Sequence, residues 1–575
     1  MELNRSRDFQ TQPGRQRPGR FALQAALCAV VLVSLVLSGC VMPDTAMPAQ
    51  PEPAGPAVSI AATQFEPGPC SDTFVRHVMD FATNVDERPV RMFSSNGSGL
   101  AVNDLDNDGL LDVVMANLDG QNAIFWNRGR MEFERADMAT RNTRAVSIVD
   151  VDGDGWHDIV FALRRYIPVA WLNREGPDGS RMFESLPLSL FKNRSYTQAW
   201  ADLDQDGDLD AVTVTYDAEP MKEENQPAPT GGGGVFVMYQ NNDGSLRFER
   251  EQLAIKAQGL ALLLLDLNGD GRQDILVGHD FELPDQTWVR TDDGWEETTP
   301  FSAVARNTMG FAAAEPGSDG VTHVFAADMM PFFTDEETMA QWAPLMEDMH
   351  FEVAGNQVMR NVLQVETEDG GYTEMAEAAQ LQATGWSWSS QYGDLDLNGY
   401  MDLYVVNGMH AEEMFSHLPD SELVEENLVF RYTGEGYVWE PDWGLNATEG
   451  GRGMMMADLD NDGDLDIVVN NLIKPSVMFE NQLCTEGQSL QVDLRWPGSG
   501  NTRALGAELT VWSGTDSYSR TIRSNSGYLS GEPSRVHFGL PSGASMDRLE
   551  IRWPDGEISE VGGLEGGSLL TVTRE

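Results

Sequence analysis

Short apolar runs separated by acidic turns fill the chain from residue 99 to residue 482. Runs such as GLAV (99–102) and LLLL (262–265) lead into an aspartate-rich turn. A second run follows each turn: VVM (113–115), IVF (159–161), ILV (275–277), LYVV (403–406) or IVV (467–469). Runs this short, rich in β-branched residues and bounded by Gly, Asn and Asp, predict strands rather than helices. Two alternating stretches, AIFWN (123–127) and MEFE (131–134), show how a unit closes. Four strands in roughly 50 residues make one propeller blade. The pattern occurs seven times, the fifth time weakly, so the predicted fold is all-β: a seven-bladed β-propeller over residues 70–484. A Met-rich stretch from 328 to 359 has helical spacing and reads as an insertion above the ring. After Cys484 the period stops, and the alternating segments ELTVW (508–512) and LEIRW (549–553) predict a small β-rich domain over 485–575.

The acidic turns carry the chemistry. Six intact copies begin at residues 104, 150, 202, 266, 394 and 458, and a decayed copy over 315–323 keeps only Asp319. Each intact copy offers oxygen at positions 1, 3, 5, 7 and 9 of nine residues. These are Asp104, Asp106, Asp108, Leu110 and Asp112; Asp150, Asp152, Asp154, Trp156 and Asp158; Asp202, Asp204, Asp206, Asp208 and Asp210. The other three are Asp266, Asn268, Asp270, Arg272 and Asp274; Asp394, Asp396, Asn398, Tyr400 and Asp402; Asp458, Asp460, Asp462, Asp464 and Asp466. Position 7 is expected to contribute its backbone carbonyl, and the glycine at position 6 permits the bend. Oxygen-only ligands, several of them charged, suit calcium rather than zinc or copper. An EF-hand begins the same way, but no copy has Glu at position 12 and strands flank the loops. About six structural calcium ions are therefore expected, at the roughly 10⁻⁴–10⁻³ M affinity of extracellular modules.

Composition sharpens this picture. With 91 acidic against 38 basic residues the formal net charge is −53, which excludes a nucleic-acid partner. The first residues read as an address: Arg5, Arg7, Arg15, Arg17 and Arg20 precede an apolar run over 21–37 that ends in Leu-Ser-Gly-Cys40. Residues 1–39 are expected to be a lipoprotein signal peptide, with Cys40 lipidated and 40–69 a Pro/Ala-rich tether. Val41, where Asp would mark inner-membrane retention, favours the outer membrane in a Gram-negative cell. Membrane association is then through the lipid alone. Two cysteines remain for the folded part, Cys70 and Cys484, a plausible disulfide in an oxidising compartment.

The C-terminal motifs Gly506-Ala507, SGYLS (526–530), VHFGL (536–540) and RWPDG (552–556) resemble the ASPIC/UnbV domain, and the acidic loops resemble FG-GAP/VCBS repeats. In this order the two resemble the cartilage-acidic-protein-like family of exported proteins. The resemblance implies a calcium-bearing propeller with a β-rich C-terminal cap, and little biochemistry. The functional expectation is an exported binding or adhesion scaffold at the cell envelope, with a protein or glycan ligand. The alternative is a carbohydrate- or natural-product-directed lyase or isomerase built on the propeller. The sequence offers it little: eight histidines are scattered, and there is no HExxH, GxSxG or Gly-rich phosphate loop. His410 and His417 lie near acidic residues but read as satisfied structure. Met454, Met455 and Met456 read as core rather than as a copper site, and Trp386 and Trp388 as a strand. No catalytic residue is assigned.

Overall fold

The computed structural model describes residues 55–86, 88–177, 179–222, 233–241, 245–348 and 355–575. The signal segment, Cys40 and most of the tether lie outside the described residues. Among those described, each acidic turn connects the first two strands of an antiparallel sheet, and seven such sheets follow one another. Their inner strands are Leu100–Asn103, Thr143–Val149, Thr197–Ala201, Gly259–Leu265, Gly310–Ala314, Gly385–Gly393 and Gly451–Ala457, here numbered blades 1 to 7. Each inner strand lies beside the next, and that of blade 7 lies beside that of blade 1, so the cycle closes. The inner strands are buried on both faces, whereas an outer strand such as Arg181–Pro187 alternates half-buried and exposed positions. That difference is why the runs before the acidic turns read as continuous apolar segments.

Ring closure joins the two ends of the propeller sequence. Thr73–Val78 is the outermost strand of blade 7, pairing antiparallel with Val477–Gln482 from Thr73↔Gln482 to Val78↔Val477. Cys70 and Cys484 flank this pair and are bonded, with Cα atoms 5.0 Å apart across 414 residues of chain. Opening so long a loop returns conformational entropy to the unfolded chain, worth roughly 4–5 kcal/mol against the fold. The double variant Cys70→Ser, Cys484→Ser is expected to lose about that much stability in denaturant unfolding. A loss below about 1 kcal/mol would show that strand pairing alone holds the ring.

Two sequence expectations change. Val58–Gln64, placed in the tether, is a strand paired with Ser568–Arg574 along its whole length. It is an edge strand of the C-terminal domain, exposed at most positions, which explains its lack of an apolar signature. The C-terminal domain is thus two four-stranded sheets, one of them built from segments on either side of the propeller in the sequence. The Met-rich insertion is only partly helical. Met329–Met330 pairs with Gly385–Gly393 in blade 6, and among the described residues the helix spans Glu336–Asp348. That helix is fastened by Trp342, which packs 5.8 Å from Trp386 and donates its indole N–H to Glu425.

Candidate metal centres at the interdomain seam

The six intact loops share one backbone course. Position 6 has positive φ in all of them: Gly109, Gly155, Gly207, Gly271, Gly399 and Gly463. So does position 4, occupied by Asn107, Gly153, Gln205, Gly269, Leu397 and Asn461. The second bend was visible in the sequence only as the Asn or Gly at four of those positions. The position-1 aspartate accepts the position-6 N–H at 2.7–3.1 Å in every copy. The position-9 aspartate accepts the position-2 N–H at 2.8–3.1 Å. Its other oxygen accepts an N–H from the third strand of the same blade at 2.7–2.9 Å. The ninth residue therefore rivets each loop to its blade, a role the spacing alone did not reveal.

These loops fit a hard divalent cation. In five of them three carboxylates converge with oxygens within 4.8 Å: Asp104, Asp106 and Asp108; Asp150, Asp152 and Asp158; Asp202, Asp204 and Asp206; Asp394, Asp396 and Asp402; Asp458, Asp460 and Asp466. Buried oxygens of Asp104, Asp106, Asp152, Asp396 and Asp460 accept no hydrogen bond. Burial, with hydrogen bonds and neighbouring carboxylates as smaller influences, pushes the carboxyls of Asp112, Asp158 and Asp210 up to about 8. Asp402 and Asp466 are driven well above the usual carboxylate range by burial and by the aspartates beside them. Charges desolvated together in this way need a counter-ion or a proton.

The loops are not equivalent. In blade 4 Asn268 replaces the second aspartate, no triad forms among the described residues, and Arg272 binds Asp270 at 2.7 Å and Asp292 at 2.8 Å. Arg174 pairs with Asp152 and Asp154 in blade 2, Arg431 pairs with Asp396 in blade 6, and Arg128 stands 4.0 Å from Asp106 in blade 1.

The C-terminal domain docks on this same face. The position-6 carbonyl accepts from it in four loops: Gly109 from Arg535 at 2.9 Å, Gly155 from Arg503 at 2.8 Å, Gly207 from Ser499 at 2.8 Å, and Gly463 from His537 at 3.0 Å. Burial lowers His537 to about 4, leaving a neutral ring whose Nε2–H donates. Thr502 and Gln491 reach the position-1 carboxylates themselves, Asp150 and Asp458. Pro541 and Tyr518 pack against Gly399 of the blade-6 loop. The acidic loops are thus the floor on which the domain rests.

From this floor one segment descends into the ring and touches every blade. Gly531 donates to Leu100, Leu529 accepts from Val146, Ser524 accepts from the Trp200 N–H, and Asn525 donates to Leu262. Gly527 donates to Phe311, the Tyr528 N–H donates to Ser389, and Ser530 packs on Gly453. Tyr528 is fully buried, its ring 5.1 Å from Trp388 and its hydroxyl 3.0 Å from that of Tyr196 and 2.9 Å from the Asn96 carbonyl.

Comparison with known proteins agrees with this two-part construction. The FG-GAP-like repeat profile matches residues 104–161 and 202–277, and the ASPIC and UnbV profile matches 497–575. The chain carries FG-GAP-like repeats and a C-terminal ASPIC/UnbV domain. No curated protein matches it. Among solved structures, BBS1N in complex with ARL6DN, in a mercury-soaked crystal, aligns at 10% identity and TM-score 0.37, covering 68% of this chain and 94% of that one. AofleA from Arthrobotrys oligospora aligns at 10% identity and TM-score 0.33, covering 72% and 94%.

Between the ASPIC/UnbV domain and the loop face lies a chamber of about 570 Å³, walled by residues of blades 3 to 7 on one side and by the domain on the other. Glu315 of the decayed copy, Glu508, Arg520, Arg523 and Glu532 face it. The other residues singled out in the sequence do not converge. His410 stands 3.3 Å from Glu422, which Lys474 also binds, and exposed His417 meets the Gln341 carbonyl. Met454, Met455 and Met456 are buried in blade 7, and Trp386 and Trp388 in blade 6. The docking residues Arg503, Arg535, Thr502 and Gln491 were missed, because nothing local distinguishes them from surface polar residues.

Proposed function

We propose that this FG-GAP/ASPIC–UnbV protein is an exported scaffold, tethered to the envelope through lipidated Cys40, whose acidic loops hold structural calcium. The reading adds a binding or adhesion role toward a protein or glycan. The convergence of buried, unpartnered carboxylate oxygens in repeated loops carries the metal assignment. Calcium would be held by positions 1, 3 and 5, the position-7 carbonyl and position 9, and would supply the positive charge that lets these carboxylates stay ionised in a buried loop. Because the ASPIC/UnbV domain covers the loop face and its segment fills the channel, a ligand is expected at the blade rims or the opposite face. Metal analysis of the full chain after dialysis against calcium tests the first part, with up to six ions expected. Glycan and protein arrays probed with the calcium-loaded chain test the second. Arrays without a calcium-dependent ligand would leave a stabilised fold without the binding role.

The pH dependence discriminates further. Without metal, Asp112, Asp158 and Asp210 are protonated in the native protein up to about pH 8. In the unfolded chain they ionise near 4. The native state then binds more protons between these limits, so its stability falls as pH rises through that window. In chelator, lowering the pH from 8 to 6 is expected to raise Tm. With calcium the same change sets protons against the ion, and Tm is expected to fall. Parallel slopes in the two conditions would contradict the metal assignment.

A further inference from the structure

Two of the six loops carry a fifth carboxylate. At position 7, where the other copies have Leu110, Trp156, Arg272 and Tyr400, blade 3 has Asp208 and blade 7 has Asp464. Asp208 is only 5% exposed, and neither of its carboxylate oxygens has a hydrogen-bond partner. Gly500 of the ASPIC/UnbV domain closes over it so tightly that a side chain there would meet the Asp208 Cβ at 3.1 Å. A buried oxygen of Asp464 is likewise without a partner. Among the described residues no Lys, Arg or His lies within ion-pairing range of either carboxylate. The charges acting on Asp208 are those of Asp206, Asp204 and Asp202, and those acting on Asp464 belong to Asp462, Asp466, Asp458 and Asp460.

Four of the other loops differ from that of blade 7. In blades 1, 2, 4 and 6 an arginine stands within 4.0 Å of a loop carboxylate: Arg128, Arg174, Arg272 and Arg431. A cation entering those loops competes with a guanidinium for its ligands. In blade 7 no such pair touches any of the five aspartates among the described residues. An unpaired carboxylate buried at the seam is costly unless it meets positive charge.

We propose that the side chains of Asp208 and Asp464 are themselves cation ligands, so that the loops of blades 3 and 7 form a separate, tighter class of calcium site. Ligand charge count is a principal determinant of calcium affinity in oxygen sites, and one more carboxylate is expected to tighten binding about tenfold. This rests on the calcium reading above and goes beyond it by assigning two ligands and ranking the sites.

The test is a calcium titration of the full chain against a competing chelator, for wild type, Asp208→Asn with Asp464→Asn, and Asp106→Asn as a control in a four-carboxylate loop. Wild type is expected to bind two ions about tenfold more tightly than the rest. The double variant should lose the tight class while retaining the weaker ions, and the control should keep both tight ions. One affinity class in wild type, unchanged in the double variant, would overturn the assignment while leaving calcium binding intact. Absence of any calcium binding by wild type would instead remove the reading beneath it. Thermal unfolding of Asp208→Asn supplies a second criterion. If Asp208 is a ligand, the variant is more stable than wild type in chelator and less stable in calcium. Stabilisation in both conditions would show a merely buried charge and overturn the proposal.

Discussion

In excess chelator the full chain is expected to unfold on the order of 10 °C below its midpoint in millimolar calcium. A site held at ten times its dissociation constant adds about 1.4 kcal/mol by mass action, and six such sites add about 8 kcal/mol. The loss should not stay in the loops. Arg503, Arg535, His537 and Ser499 bind the position-6 carbonyls of four loops, while Thr502 and Gln491 bind position-1 carboxylates. Loops that spread under carboxylate repulsion take those acceptors with them. Hydrogen exchange is therefore expected to show lost protection in chelator at residues 499–503 and 535–537 together with the loops, before the inner strands open. Exchange confined to the loops would mean that domain docking is independent of the metal, and an unchanged midpoint would remove the metal altogether.

Tyr528→Ala is expected to cost about 3–5 kcal/mol, the range for truncating a buried aromatic side chain. The ring is fully enclosed against Trp388, and the hydroxyl ties Tyr196 to the Asn96 carbonyl. Tyr528→Phe keeps the ring and loses only the hydroxyl contacts, so about 1–3 kcal/mol is expected. Because the segment around Tyr528 touches all seven blades, Tyr528→Ala should also separate the unfolding of the ASPIC/UnbV domain from that of the propeller, giving two calorimetric transitions in place of one. A cost below about 1 kcal/mol, with a single transition, would show that the segment fills the channel without holding it.

The loops and blades were legible because their determinants are local. A nine-residue turn carries its own carboxylates, its own glycine and its own hydrogen bonds, and the strands beside it announce themselves by burial on both faces. The decayed copy was legible for the same reason, since its ligand positions are missing from the text of the chain. The exposed strand Val58–Gln64 was not, because an edge strand without an apolar face looks like a tether until its partner, Ser568–Arg574, is known. Nor was the distinction between the loops. Arg128, Arg174 and Arg431 lie some 20 or more residues from the aspartates they approach, and blade geometry brings them there.

The sequence by itself determined an all-β repeat, the positions of its acidic loops, and a C-terminal module of different pattern. Those features depend on short-range periodicity and on carboxylate spacing within one turn. Only the tertiary structure decided that the C-terminal domain stands on the loops, that SGYLS (526–530) occupies the ring rather than capping it, and that Asp208 is sealed by Gly500. These contacts join residues hundreds of positions apart, and such pairings are set by how the closed ring and the C-terminal sheets pack, which no local pattern encodes.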